Sequence, residues 1–260
     1  NLYGLGSNDD GGSLVSLLEA YIAMCDEKRN YNLVFSASCE EEVSGKGGIE
    51  LALNSFPRID AGIIGEPTGL QPAVAEKGLM VIDFKAKGKA GHAARNEGIN
   101  AIYKAIKDIE TIKNLSFHRK SEHLGETRAT VTIINAGTLH NVIPDECSFT
   151  ADVRSNEMYS NRELFEIISS AVESEAKARS FRLNSSNISA NHPLVRRAVA
   201  LGRKPFGSPT LSNRALLSFP TIKIGPGESS RSHTADEFIK ISEIAEAVDF
   251  YVEFMKGLEL

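Results

Sequence analysis

Short apolar runs that end in acidic residues recur along the first 70 positions of the chain. Leu33–Phe35 leads into Glu40–Glu42, and Ala61–Gly65 leads into Glu66. Runs of this length predict buried strands. Ahead of them, helical spacing predicts a helix over residues 14–25, with these residues facing the core: Leu14, Leu17, Leu18, Tyr21, Ile22 and Cys25. Strands that alternate with helices predict an α/β domain, in which sites form at the carboxyl ends of the strands.

The pattern changes character between residues 74 and 186. In order, it predicts a strand at 79–87, a helix at 98–112 with Ile102, Ile106 and Ile109 inward, strands at 128–135 and 146–154, a helix at 160–179 and a strand at 181–184. A capping box of Ser160 and Glu163 opens the second helix. The βαββαβ order predicts an inserted α+β split-βαβ (ferredoxin-like) domain. The α/β domain is then residues 1–73 and 187–260.

The last segment returns to the pattern of the first domain. It predicts a helix at 193–202, a strand that runs from Phe219 to Ile224, and a closing helix at 241–257. The closing helix has Ile244, Val248, Tyr251 and Met255 on its inward face. Between strand and helix, a Gly-Pro-Gly loop leads to His233.

The composition excludes some classes of function but does not identify one. With 260 residues, 42% hydrophobic and 24% charged, the chain has an ordinary globular composition. The net charge of −5 gives no reason to expect nucleic acid as a partner, and there is neither a membrane-length apolar run nor a signal-peptide pattern. Cys25, Cys39 and Cys147 lack metal-type spacing and predict free thiols in a reducing, cytoplasmic location. The chain opens on Asn1 rather than Met, so we expect part of the protein to precede it.

Acidic residues at predicted strand ends suggest a cation site. Consecutive carboxylates such as Glu40–Glu42 repel one another, and a fold tolerates them in solvent, by protonation or by binding a cation. Each candidate alone also has an ordinary explanation, as a helix cap for Asp9 or Asp10 and as a solvated loop residue for the others. As one set, the candidates offer oxygen and imidazole donors that suit Zn²⁺, Mn²⁺ or Co²⁺: Asp9, Glu42, Glu66 and His233.

Seven motifs in order resemble the di-metal amidohydrolase and peptidase family that includes acetylornithine deacetylase, succinyl-diaminopimelate desuccinylase, aminoacylase and carboxypeptidase G. They are Tyr3–Asp9, Glu40–Val43, Gly65–Thr68, Gly88–His92, Gly98–Ala101, Asn141–Pro144 and Asp152–Arg154. The third is most like the deacetylase branch. The resemblance implies a zinc-peptidase-like α/β catalytic domain, an inserted dimerisation and lid domain, and a homodimer.

The resemblance also implies roles for individual residues. Two divalent metals, zinc or else cobalt or manganese, would be bound by Asp9, Glu42, Glu66 and His233. Glu41 would be the general base, and His92 would reach across the dimer into the partner's site. Asn141 and Arg154 would bind the substrate carboxylate; the alternative for Arg154 is an ion pair with Asp152 or Glu157 that has no part in binding substrate.

The reaction implied is hydrolysis of the amide bond of an N-acyl amino acid, of the N-acetylornithine or N-acetylcitrulline type, in arginine biosynthesis. A desuccinylase of the succinyl-diaminopimelate type and a dipeptidase or carboxypeptidase are alternatives within the same chemistry. A further alternative is a non-catalytic paralogue or fragment, although the retention of Glu41 favours an enzyme.

The chain departs from the family pattern at two points. The family has an upstream His-x-Asp motif that supplies a ligand of the second metal, and none precedes Asp9. We therefore expect an N-terminal truncation, which leaves the second metal one ligand short. In addition, Asp10 is acidic as well, so either Asp9 or Asp10 could be the bridging ligand.

Overall fold

The computed structural model describes residues 1–95 and 97–260. The helices are α1 (Gly12–Met24), α2 (Ile49–Leu53), α3 (Ala101–Asn114), α4 (Asn161–Ser170), α5 (Pro193–Ala200) and α6 (Ile241–Lys256). The strands are β1 (Leu2–Tyr3), β2 (Gly62–Ile64), β3 (Ala73–Glu76), β4 (Met80–Lys87), β5 (Gly91–His92), β6 (Arg128–Ala136), β7 (Val142–Ile143), β8 (Glu146–Arg154), β9 (Glu175–Ala178), β10 (Ser186–Asn187), β11 (Phe206–Ser208), β12 (Thr221–Lys223) and β13 (Phe238–Ile239). In this described part, no helix has the length and apolar character that crossing a membrane requires.

The chain divides into two compact units. The first comprises Asn1–Glu76 and Asn187–Leu260, and the second comprises Lys77–Ser186. The sequence-based borders lie at residues 73/74 and 186/187. Each unit has its own buried apolar cluster.

The first unit is an α/β layer built on the strand order β10-β3-β12-β2, with β11 paired to β3. β2 and β12 run parallel, so their carboxyl ends meet at one edge and both lead into loops. Helices α1 and α6 pack against each other, and the core between helices and sheet includes Ile222, Ile224, Phe250, Tyr251 and Phe254. The predicted strands at 61–65 and 219–224 and the closing helix are confirmed, the strands in shortened form.

Helix α1 buries a different face from the one that its leucines predict. Ser13, Ser16, Ala20 and Met24 are buried, whereas Leu14, Leu18 and Ile22 are 40%, 37% and 56% exposed. The reason is that the loop containing Gly65 lies very close to this face of α1. A Cβ added at Gly65 would lie 2.7 Å from Ser13 Cβ, so the interface has no room for large side chains. The predicted inward positions of Leu14, Leu18 and Ile22 are therefore wrong, whereas Leu17 does pack against the core.

The predicted strand at Leu33–Phe35 is also wrong. These residues belong to none of the strands among the described residues. Leu33 and Phe35 are half-buried while Val34 is 44% exposed, so the segment covers the core without joining the sheet. Glu42 consequently does not follow a strand, and the turn described below positions it instead.

The second unit is the predicted split-βαβ domain. Its antiparallel sheet has the order β6-β8-β4-β9, with α3 and α4 as the two helices. Strand β8 has the predicted bounds, and Ser160 Oγ accepts the N–H of Glu163 at the start of α4 as the capping box requires. The stacked rings of Phe84 and Phe149, with centroids 4.7 Å apart, lie in its core.

Three details of this unit differ from prediction. Helix α4 ends at Ser170, and Glu175–Ala178 pairs with β4 as a strand. No strand forms at 181–184 in the described chain. Helix α3 buries Ala101 and Ala105 and leaves Ile106 44% exposed. In each case, packing against the sheet outweighs local propensity.

Substitution of Gly225 should test the close approach of α1 to the site loops. Gly225→Ala would place a Cβ against Ser13 Oγ of α1 and 2.5 Å from the Glu66 carbonyl oxygen, so the free energy of unfolding in urea should fall by about 1–3 kcal/mol. The matched control is Ser13→Ala, which removes a buried hydroxyl that lacks a hydrogen-bond partner among the described residues. It adds no atom and should change stability by less than about 0.5 kcal/mol. Equal destabilisation by both variants would contradict the steric explanation.

Candidate metal centre

The loop that carries Asp9 is tied to the opposite end of the chain. Strands β1 and β13 pair antiparallel at its start. The buried Asn8 amide donates to the carbonyl of Glu228 and to Ser232 Oγ, both at 3.1 Å. Its Oδ1 accepts the N–H of Glu228 at 3.1 Å. Asn8 therefore joins the Asp9 loop to the loop that leads into His233.

Glu237 fixes the backbone of the same loop. Its Oε1 accepts the N–H of Asn8 at 2.9 Å and the N–H of Asp9 at 3.0 Å. Burial alone would raise the pKa of Glu237, but backbone hydrogen bonds from Asp9, Asn8 and His233, among others, lower it below its usual value. Glu237 therefore remains a charged acceptor that positions both the Asp9 loop and the His233 loop.

A tight turn separates the roles of the three consecutive glutamates. Glu40 adopts a left-handed φ of 60°, and its carbonyl accepts the N–H of Gly45 at 2.9 Å. The Glu40 carboxylate accepts the N–H of Gly47, also at 2.9 Å. The Glu40 carboxylate therefore stabilises its own loop. Glu41 and Glu42, in contrast, line a cavity.

Asp9, Glu42 and His233 converge at this cavity. His233 Nε2 lies 3.5 Å from Asp9 Oδ2 and 3.7 Å from Glu42 Oε2, and the three residues offer donor atoms within 4.8 Å of one another. Glu66, at the end of β2, is 9% exposed and lines the same cavity, as does Glu41. The structure thus brings five of the predicted site residues together, and its donor cluster contains Asp9 rather than Asp10.

The cavity has a volume of about 280 Å³. Apart from the acidic group, side chains of mixed character form its walls: Phe206, Ser208, Pro209, Thr210, Leu211 and Lys223. Apolar and hydroxyl-bearing groups next to charged ones are typical of a small-molecule pocket.

Burial and mutual repulsion raise the pKa values of these acids. Burial, followed by the charges of Glu42 and Asp9, raises the pKa of Glu41 to about 7. Burial and the same two carboxylates raise the pKa of Asp10 to about 6. The pKa of Glu66 is raised well above its usual value, chiefly by burial, although a nearby ammonium opposes the shift. The site therefore gathers more negative charge than its own residues compensate.

This set of donors fits a divalent metal ion. Carboxylate oxygens together with an imidazole nitrogen are ligands of Zn²⁺ and related ions in hydrolytic sites. Asp9, Glu42 and His233 lie close enough together to contact one ion. A cation there would also remove the repulsion that raises the pKa of Glu41.

The remaining predicted site residues lie in the second unit. His92 and Asn141 are exposed on the ribbon of β5 and β7, where the Asn141 carbonyl accepts the N–H of Ala93 at 3.1 Å. Arg154 ends β8, and its guanidinium donates to both carboxylate oxygens of Asp152, at 2.7 and 3.0 Å. That ion pair is the alternative considered for Arg154. The substrate roles of His92, Asn141 and Arg154 stay predictions.

Sequence reasoning missed three residues that shape the site. Lys223 is 2% exposed and lines the cavity. A lysine within the apolar run Phe219–Ile224 was the available signal, because a lysine is rarely buried without a partner. Asn8 and Glu237 gave no local signal, since they are 229 positions apart in the chain.

Comparison with known proteins agrees with this architecture. Residues 74–180 match the family model of the M20-type peptidase dimerisation domain. An acetylornithine deacetylase from Pectobacterium carotovorum is 28% identical over 260 residues, which cover 92% of this chain and 67% of that protein. A LysW-lysine/LysW-ornithine hydrolase from Sulfurisphaera tokodaii is 26% identical over 270 residues, which cover 99% of this chain and 75% of that protein.

A solved structure shows the same fold. A dinuclear metal-binding peptidase of the M20 family from Bacillus subtilis superposes with a TM-score of 0.67 at 17% identity, covering 94% of this chain and 70% of its own. The predicted architecture, an α/β domain with an inserted α+β dimerisation domain, is confirmed.

The acidic cluster should make the metal-free protein sensitive to pH. Because the folded state raises the pKa of Glu41 from 4.5 to about 7, it binds that proton more tightly than the unfolded state does between these values. This contribution to stability is present below pH 4.5 and is lost as the pH rises through 7. Between about pH 5 and 8, wild type should lose on the order of 1–2 kcal/mol relative to Glu41→Gln, a value reduced for solvent screening.

Urea unfolding of chelator-treated protein across this range measures the difference. If the difference in unfolding free energy between wild type and Glu41→Gln did not change with pH, the prediction of a raised pKa for Glu41 would be wrong. Addition of Zn²⁺ to wild type should reduce the pH dependence, since the bound ion offsets the repulsion that adds to the effect of burial on Glu41.

Proposed function

We propose that this chain, which is similar in sequence to an acetylornithine deacetylase and in fold to an M20 metallopeptidase, catalyses metal-dependent hydrolysis of the amide bond of an N-acyl amino acid. The observation that carries the proposal is the convergence of Asp9, Glu42 and His233 within 4.8 Å, with Glu41 in the same cavity. Metal ligands beside a separate carboxylate form one arrangement that can hydrolyse an unactivated amide.

Glu41 is the proton-transfer residue in this proposal. Burial and the neighbouring carboxylates raise its pKa to about 7 in the metal-free protein, which favours proton acceptance by Glu41. Glu41 would take a proton from the attacking water and return it to the nitrogen of the leaving amine. Glu40 does not suit this role, because its carboxylate is hydrogen-bonded to Gly47. When bound, divalent ions lower the pKa of water and polarise the amide carbonyl.

We propose two divalent metal ions, with zinc as the first candidate and cobalt or manganese as alternatives. Asp9, Glu42, Glu66 and His233 would bind them. Two observations support a pair of metal ions. Glu66 is a further carboxylate in the cavity that contains Asp9. In addition, a protein of the same fold is described as a dinuclear metal-binding peptidase.

The substrate proposed is N-acetylornithine or N-acetylcitrulline, in arginine biosynthesis. Support comes from the sequence similarity to an acetylornithine deacetylase. Succinylated diaminopimelate, dipeptides and LysW-linked amino acids are alternatives, the last because of the second relative. Asn141 and Arg154 remain predicted contacts of the substrate carboxylate. For Arg154, this role requires the guanidinium to leave Asp152.

An activity screen tests the substrate. Purified protein, loaded with Zn²⁺, Co²⁺ or Mn²⁺ in turn, is assayed for amine release from N-acetyl and N-succinyl amino acids and from dipeptides. Highest kcat/KM on N-acetylornithine or N-acetylcitrulline supports the proposal, and preference for a succinylated substrate or a dipeptide selects an alternative. Metal binding without turnover on any of them would favour a non-catalytic protein.

We propose a cytoplasmic location on the state of the cysteines. Cys25, Cys39 and Cys147 are all free thiols. Proteins of oxidising compartments usually pair such residues, so three free thiols favour a reducing compartment.

We further propose that the second unit forms a homodimer through β6. Its sheet has two edges of different character in the described chain. The β9 edge carries Glu175 and Lys177, whereas the β6 edge exposes Ile133 and Ile134, each 50% exposed. Helix α3 of the same unit exposes Tyr103 by 72%. Apolar edges pair readily with another chain, while charged edges resist pairing.

In such a dimer, His92 is proposed to serve the partner's site. Its ring is exposed, and its Nδ1 accepts the N–H of Ala94 at 3.2 Å, which leaves Nε2 as the atom available to a substrate. A histidine so oriented can donate to the oxyanion that forms when the amide is attacked.

Substitutions within the glutamate triplet should separate metal binding from catalysis. Glu41→Gln should retain its metal and lose about 10²–10⁴-fold in kcat, because the amide cannot accept the proton. Glu42→Gln should lose metal. Glu40→Gln is the matched control and should stay near wild type, since its carboxylate contacts its own loop. Measurement of kcat together with the metal content of each variant tests this assignment. If Glu41→Gln were active while Glu42→Gln bound its full complement of metal and were inactive, Glu42 rather than Glu41 would be the proton-transfer residue.

A charge placed on the β6 edge should dissociate the dimer. Light scattering during gel filtration should give twice the mass of one chain for wild type and a single-chain mass for Ile134→Lys. Val199→Lys, on α5 of the first unit and 48% exposed, is the matched control and should remain dimeric. Mixed His92→Ala and Glu41→Gln proteins should recover activity after subunit exchange, whereas exchange without recovery would contradict the role of His92.

A further inference from the structure

Lys223 is a buried charge that the proposed reaction does not use. It lies at the end of β12 and is 2% exposed. Its Nζ donates to the carbonyl oxygen of Thr210 at 3.3 Å and contacts Thr210 Oγ1 at 3.1 Å. The same Nζ lies 3.5 Å from Glu76 Oε2 and 3.9 Å from Glu66 Oε2. One ammonium group therefore stands between a proposed metal ligand and a fully buried acid.

The register of the sheet places Lys223 beside Glu66. In the parallel pair of β12 and β2, Lys223 lies opposite Ile64. Glu66 lies two residues beyond Ile64, just after the end of β2. A lysine side chain is long enough to reach it from the end of the neighbouring strand. Pairing of β12 with β2 therefore brings Lys223 close to the start of the loop that carries Glu66.

Glu76 provides the charge that makes a buried lysine tolerable. It is 0% exposed, and Ser212 Oγ lies 3.1 and 2.9 Å from its two carboxylate oxygens. A buried ammonium needs a charged partner nearby. Because Glu76, which also interacts with the buried Arg214, supplies that charge, Glu66 remains available to a metal. The ammonium still attracts Glu66 Oε2 and so restricts rotation of that carboxylate.

We propose that Lys223 is a positioning residue that fixes which oxygen of Glu66 faces the metal. The inference rests on the proposed function, since it concerns the affinity of the ion that Glu66 binds. Groups that orient a ligating carboxylate typically change metal affinity by 10–100-fold when removed. Lys223 itself touches neither metal nor reacting atoms in this role.

The decisive variant removes both charges of the pair. Lys223→Met alone leaves Glu76 buried without this partner and makes the cavity more negative, which would attract metal and obscure the effect. The double variant Lys223→Met/Glu76→Gln keeps the net charge and replaces a buried pair by groups of similar volume, a change that proteins often tolerate. Lys87→Met/Glu175→Gln, an exposed pair with Nζ and Oε1 2.6 Å apart, is the matched control.

The measurement is Zn²⁺ affinity and stoichiometry by competition with a chelating dye, together with the thermal unfolding midpoint of the metal-free protein. The buried-pair variant should bind the ion at Glu66 about 10–100-fold more weakly than wild type, with little change in the metal-free midpoint. In a Glu66→Gln background, the same double substitution should change the affinity less than about threefold, because Lys223 acts through Glu66.

Each other outcome overturns the inference in a recognisable way. Unchanged Zn²⁺ affinity overturns it, and if KM rises at the same time, Lys223 contacts the substrate instead. An equal loss in the Glu66→Gln background shows a general structural effect that does not pass through Glu66. Absence of Zn²⁺ binding by wild type would overturn the proposed function as well, whereas equal binding by wild type and the buried-pair variant would overturn this inference alone.

Discussion

Repulsion among neighbouring carboxylates is the constraint on which the rest of the first unit depends. Two unit charges 4 Å apart repel by about 1 kcal/mol in water and about 4 kcal/mol near a protein surface. Much of the organisation comes from backbone donors. N–H groups of Asn8 and Asp9 bind Glu237, and the N–H of Gly47 binds Glu40. These bonds fix the loops while leaving the cavity side of the acids free for a cation.

The two edges of the sheet in the second unit also differ in the residues that they expose. On one edge of its sheet, Lys87 pairs with Glu175 and Arg179 pairs with Asp83, so the strand there presents charges to solvent. On the other edge, isoleucines are exposed beside unpaired backbone groups. The exposed isoleucines and the acid cluster thus lie in different units of the chain.

Sequence patterns predicted the division into two units and most residues of the acid cluster. They failed where tertiary contacts outweighed the local preference for helix or strand. Strand β8 and the start of α4 were predictable because alternation and a capping box are local signals. Glu175–Ala178 consists of good helix formers, yet it pairs with β4, and only the sheet could reveal that. The leucines of α1 suggested the wrong face, since the nearby loops admit only residues as small as Ser13. The contacts of Lys223 could not be predicted, because they depend on the register between strands, and the spacing of apolar residues carries no information on register.

The bonds between Asn8 and Glu237 span 229 positions. Closing so long a loop is entropically unfavourable until the intervening chain has folded, and contacts of this separation form late. During synthesis the chain emerges from its amino end, so Asp9 leaves the ribosome long before the residue that orients it. The proposed ligands Asp9, Glu42 and His233 can therefore come together only after the segment that contains His233 and Glu237 has been synthesised.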